Sequence, residues 1–130
     1  MRLSIPSLQS TLAVVSGIIV TTTLLLAVEA TILAQNNGVA TVQMMRLIWV
    51  MDVLVLMTGG YITARIAAHS PVKHSIALAG LFLPPVAVLG YASAEPPLQI
   101  LMTALAIAIC ILLGAIGRDW QQQRSRGYAA

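Results

Sequence analysis

Four long apolar stretches dominate this chain and restrict it to one class of fold. They run from Leu12 to Leu33, Met45 to Ala68, Ser75 to Ser93 and Leu98 to Gly117. Each approaches the ~20 residues that cross ~30 Å of hydrocarbon at about 1.5 Å per residue. No water reaches backbone N–H and C=O groups at that depth, so the stretches predict helices; they are too long and too uniformly apolar for barrel strands. Charged residues make up only 8% of the 130, against roughly a quarter in soluble domains, which speaks against a soluble fold. The expectation is a single all-α domain over residues 1–130, an integral membrane bundle of four transmembrane helices.

The first stretch also has to be weighed as a signal peptide. Arg2 gives a thin positive flank and Ala27 to Ala30 reads "AVEA", with small residues suited to cleavage. The apolar run of about seventeen residues before Glu29 exceeds the roughly 7 to 15 of a signal h-region, so the stretch reads as a span. Basic residues then set the orientation. Arg2 precedes span one, Arg65 and Lys73 bracket the second connection, and Arg118, Arg124 and Arg126 follow span four. Only Arg46 stands beside the first connection, and the third has none, so the positive-inside bias places both termini in the cytoplasm. The short basic tail "RDWQQQRSRGYAA" reads as a solvated topology anchor rather than a nucleic-acid site.

Span two ends in "TGGYITARIAAHSPVKHS", from Thr58 to Ser75. Gly60, Ala64 and Ala68 recur every four residues on one helix face, and Gly59, Thr63 and Ala67 on the adjoining face. In lipid, apolar surface gains nothing from meeting apolar surface, so close packing at small residues is a main source of helix association. Ala106, Cys110 and Gly114 draw a matching stripe on span four, and all seven positions other than Thr63 and Ala67 are predicted helix contacts. Tyr61 and Arg65 are predicted lipid-facing anchors at the headgroup level. Pro71 biases Ser70 away from right-handed helix and ends span two. His69 and His74 lie five apart across that proline turn, with no carboxylate between them and the single Cys110 in another span. That is no usual metal-ligand set, so no metal and no cofactor is expected.

This part of the chain resembles a set of small bacterial four-span inner-membrane proteins with a "GGYxxARLA, Pro loop, HA" pattern. The residues that carry the resemblance are Gly59, Gly60, Tyr61, Ala64, Arg65, Ile66 and Ala67, then Pro71, His74, Ser75, Leu78 and Gly80. Glu29 stands where the set has an aspartate, and "EPPLQ" replaces an aromatic-proline motif before the last span. The resemblance implies a multi-pass protein of the bacterial inner membrane and brings no activity with it.

Three features could carry chemistry. Asp52 falls about two turns inside span two and Glu29 about one turn inside span one, with Arg46 near the level of Glu29. A charge at the centre of a span costs roughly 2.5 to 3.5 kcal/mol on insertion scales, so such acids are turned inward, paired or put to use. The structural reading pairs Asp52 with a neighbour such as Thr103 and Glu29 with Arg46; the functional reading makes the four an intramembrane polar site. Pro84 and Pro85, midway along span three, withhold two backbone donors and are predicted to kink or open the helix. Thr21, Thr22 and Thr23 are expected to bond their own helix.

No nucleophile–base pair, metal cluster or phosphate loop is present in the sequence, so an enzyme is not expected. The expected function is that of an accessory, structural or assembly subunit, held in the lipid bilayer and packed against a protein partner in a larger membrane complex. The alternative is a small homodimeric transporter or channel that uses its intramembrane carboxylates for a proton or cation.

Overall fold

The computed structural model describes the backbone of residues 6–35, 41–67 and 70–127 and, within these, the side chains from 8 to 124. They form four helices and no strand: α1 (Pro6–Gln35), α2 (Val42–Ile66), α3 (Pro71–Ala92) and α4 (Pro97–Gly127). All four are long and apolar enough to cross a membrane, and the protein is a multi-pass membrane bundle. Each helix starts where local chemistry dictates. Pro6, Pro71 and Pro97 each occupy a first helical position, where a missing N–H is no loss. Thr41 caps α2, its hydroxyl accepting from the Met44 N–H at 3.4 Å.

The helix boundaries depart from the apolar pattern. At six of the eight ends the helix runs past the predicted span, because a helix continues past the apolar limit for as long as its backbone bonds can close; α2 and α3 instead stop at Ile66 and Ala92, just short of the predicted Ala68 and Ser93. The departure is largest in the tail. Instead of a separate anchor, Arg118 to Gly127 prolongs α4, with the Arg124 guanidinium 3.8 Å over the Trp120 ring and Gln123 donating to Asp119 at 3.2 Å. Nor do Pro84 and Pro85 open α3, which is helical throughout from Pro71 to Ala92. Proline's fixed φ is itself helical, so the pair forfeits two donors without forcing the backbone out of the helix.

The backbone of α2 lies close to all three others, whereas among the described residues no Cα of α1 comes within 8 Å of one of α4. Its two small-residue faces serve two different neighbours. On one, a side chain at Gly60 would strike the Ile111 carbonyl of α4, and one at Gly114 of α4 would strike the Met57 carbonyl of α2. On the other, Gly59 lies under the hydroxyl of Thr21 in α1, and Gly17 of α1 lies under the hydroxyl of Thr63 in α2. That second contact is reciprocal and antiparallel: each helix offers a glycine and, one turn on, a threonine. Ala64 and Ala67 are buried beside these contacts, and Ala68 lies outside the described residues. Ser75 ties α3 to α2 through a 3.4 Å bond to the Gly60 carbonyl. Leu56, Leu78, Ala79 and Ile111 form the apolar core.

Some predicted roles are corrected. Of the stripe on span four, Gly114 alone makes a close backbone contact; Ala106 is exposed and Cys110 half-buried beside the core. Tyr61 is no lipid-facing anchor: it is half-buried and its hydroxyl donates to Gln121 of α4 at 3.0 Å. Its height on α2 matches the helical tail that the sequence reading left as a solvated segment. Arg65 is exposed, as an anchor requires. Thr22 and Thr23 are exposed, and the buried Thr21 hydroxyl bonds neither its own helix nor any other described group.

The α3–α4 turn is a Schellman motif: the Glu95 N–H donates to the Gly90 carbonyl at 3.0 Å and the Ala94 N–H to the Tyr91 carbonyl at 3.1 Å. Ala94 occupies its left-handed position, with φ 53 to 55° shared by only Ser70 and itself among described non-glycine residues. A left-handed alanine costs about 1–2 kcal/mol that glycine avoids, part of it offset by glycine's greater unfolded-state freedom. We expect Ala94→Gly to stabilise the protein by about 0.5–1 kcal/mol, read from detergent unfolding followed by circular dichroism. In the same assay Gly60→Ala and Gly114→Ala should each lose about 1–3 kcal/mol, since the added methyl meets a backbone carbonyl that cannot step aside. Gly80→Ala is the control, because nothing lies within 4 Å of the position its methyl would take.

Candidate functional site

Beyond the glycine contacts, toward the end of the bundle where α1 meets α2 and α3 meets α4, the four helices line a cavity of about 360 Å³ that is open on one side. Three helices line it with one spacing: Trp49, Asp52, Val53 and Leu56 on α2; Phe82, Pro85, Val86 and Leu89 on α3; Thr103, Ala106, Ile107 and Cys110 on α4. Each set is i, i+3, i+4, i+7, the single face of an α-helix. Leu25 and Glu29, one turn apart, complete the wall from α1.

The polar groups therefore converge from three helices. Counting at about 1.5 Å per residue, Asp52 sits about 15 Å below the start of α2, and Glu29 and Thr103 about 9 Å from the nearby ends of α1 and α4. All three are half-buried. Oδ1 of Asp52 is fully enclosed and meets no hydrogen-bond donor. The expected bond to Thr103 does not form, although both side chains line the same cavity. The expected Glu29–Arg46 pair does not form either. Arg46 is exposed and stands outside the cavity, in the first turns of α2, where its long side chain is free to reach away from the bundle. Among the described residues no cation faces the two acids. An enclosed carboxylate oxygen without a donor costs about 1–3 kcal/mol or more, so its retention needs a reason other than stability.

Two further grooves on the surface lack this combination. One, between Tyr61 and Gln121, offers hydroxyls and an amide; the other, between α1 and α2, offers Thr31, whose hydroxyl is bonded to the Ala27 carbonyl at 2.6 Å. At the opposite end of the bundle His74 is half-buried, with Nδ1 2.9 Å from the Ser70 carbonyl; His69 lies outside the described residues.

The sequence reading groups Asp52, Glu29, Arg46 and Thr103 as one polar site; the structure places Asp52, Glu29 and Thr103 on one cavity and leaves Arg46 outside it. It assigned Cys110 and Ala106 to packing and Pro85 to a kink, and all three line the cavity. It missed Trp49 and Phe82. The signal was present for Trp49, three residues before Asp52 and so on its face; Phe82 had no polar neighbour on its helix to mark it. No family model, curated protein or solved structure matches this chain.

Replacing the unpartnered carboxylate by an apolar group removes the desolvation penalty, and the adjoining cavity accepts the added volume. We expect Asp52→Leu to raise stability in detergent by about 1–3 kcal/mol. A loss of stability of that size would mean that Asp52 serves the fold.

Proposed function

We propose that this protein is a small transporter of a bacterial inner membrane that binds a cation or a proton between Asp52 and Glu29, with the homodimer as its working unit. One observation carries the reading: a carboxylate oxygen of Asp52 buried beside a largely apolar cavity, with Glu29 in the same wall and no donor or countercharge supplied by the described residues. A site with that deficit is completed by a positive ligand, whereas a purely structural acid in a span is expected to be paired. The distribution of Arg2, Arg65, Lys73, Arg118, Arg124 and Arg126 supports cytoplasmic termini and puts the cavity in the outer half of the bilayer. The resemblance to bacterial four-span proteins supports the inner membrane. On this reading the two carboxylates act as ligands rather than catalysts, and His74 sits near the other end of α3 with a ring nitrogen against the carbonyl of the cap residue Ser70.

The accessory-subunit reading keeps one supporting observation. Ala77, Gly80, Pro84 and Ala87 fall on a single face of α3, all exposed, and small residues at that spacing are of the kind that admits a second helix.

Complementation of a gene deletion separates the two. On the transporter reading, Asp52→Asn and Glu29→Gln assemble normally and lose the phenotype, because an amide cannot carry a charge or a proton. On the accessory reading both variants complement fully, and Gly80→Leu releases the protein from a larger complex on a native gel.

A further inference from the structure

We infer that the occupant of the four-helix cavity is an organic cation with a cationic head and an apolar body, rather than a metal ion or a bare proton. This rests on the cation-binding reading above and names the chemical class that the same site takes.

Volume is the first argument. About 360 Å³ lies at the small end of the roughly 300–1,000 Å³ of pockets for organic ligands, and far exceeds what one ion requires. Lining is the second. Ten of the fourteen lining residues are apolar, and the others are Glu29, Asp52, Thr103 and Cys110. A hard divalent cation calls for about six to eight oxygen ligands, which two carboxylates and one hydroxyl do not supply. An apolar chamber with two acids in its wall instead matches a molecule that buries hydrocarbon and presents one positive charge. The third argument is the pair of aromatic rings that sequence reading missed. Trp49 and Phe82 line the chamber, and ring faces attract cations by about 0.5–2 kcal/mol. The rim points the same way: Trp49 is 58% and Leu89 67% exposed, and in a membrane-spanning bundle that apolar rim faces acyl chains. A ligand with an apolar body partitions into that phase and meets the mouth of the cavity directly.

The test uses the full chain purified in detergent with Trp120→Phe, which leaves Trp49 as the sole tryptophan of the original two. Benzyltrimethylammonium is the probe and neopentylbenzene its neutral isostere. We expect a saturable change in Trp49 emission with the cation, confirmed by equilibrium dialysis, and binding of the isostere at least about tenfold weaker. Asp52→Asn should weaken the cation at least about tenfold, and Phe82→Leu about two- to fivefold by loss of a ring face. Asp52→Glu, which keeps the carboxylate, should hold affinity within about threefold, so that a merely misfolded Asp52→Asn is distinguished from an uncharged one. Equal affinity for the neutral isostere, or full affinity in Asp52→Asn, overturns the inference. If the probe does not bind but proton uptake or sodium binding disappears with Asp52→Asn, the organic cation is wrong and the cation-binding reading stands. If neither depends on Asp52 or Glu29, both fall.

Discussion

Everything in this bundle depends on how closely two backbones can approach α2. In water, apolar side chains would be driven together whatever their shape; among lipid tails that drive is absent, and what remains is dispersion at short range and the few hydrogen bonds that cross between helices. Glycine delivers the short range. At Gly60 and Gly114 the backbones of α2 and α4 meet without a side chain between them, and at Gly17 and Gly59 a threonine hydroxyl takes the space that a methyl group would fill. Polar ties between helices are sparse by comparison, the Tyr61–Gln121 and Ser75–Gly60 bonds being the described examples.

The same contacts explain why there is a cavity. They lie in one half of the bundle, at residues 17 to 21 of α1, 57 to 63 of α2 and 111 to 114 of α4. The next turns of these helices, toward the other end, carry Leu25, Leu56 and Cys110, and there the cavity begins. Larger side chains at those positions hold apart helices that the glycines draw together. Gly90 of α3, packed against Ile100 of α4, brings the chain back into contact near the α3–α4 turn. A chamber bounded at both levels by glycine contacts is a product of side-chain size along four helices, and the two acids fall inside it.

Much of this was legible in the sequence, for physical reasons that vary by feature. The four helices follow from apolar length, which hydrocarbon thickness dictates with little ambiguity. Gly59 and Gly60 could be identified as contacts because a small-residue repeat leaves a signature on one helix alone. Which neighbour each one meets could not, since that depends on the arrangement of all four; Gly17 is absent from the sequence reading although Ala13 and Thr21, four residues to either side and buried with it, carry the same small-residue spacing on α1. The error over Arg46 has a similar origin. Height along the membrane normal can be counted from the sequence, and Arg46 and Glu29 match in height, but azimuth around α2 decides whether they meet. The helical tail was missed because hydropathy reports where lipid ends, whereas the backbone of α4 keeps its own bonds as far as Gly127.

That the backbone of α1 rests on α2 and α3 alone has a consequence for the chamber. The parallel pair α2 and α4 meets backbone to backbone and forms one close-packed body. The first helix leans on that body through a seam of two glycines and two threonines, one of which, Thr21, contributes a hydroxyl with nothing to hold. Of the four walls of the chamber, α1 is thus the one whose backbone stays away from α4, and it is the wall that bears the second acid.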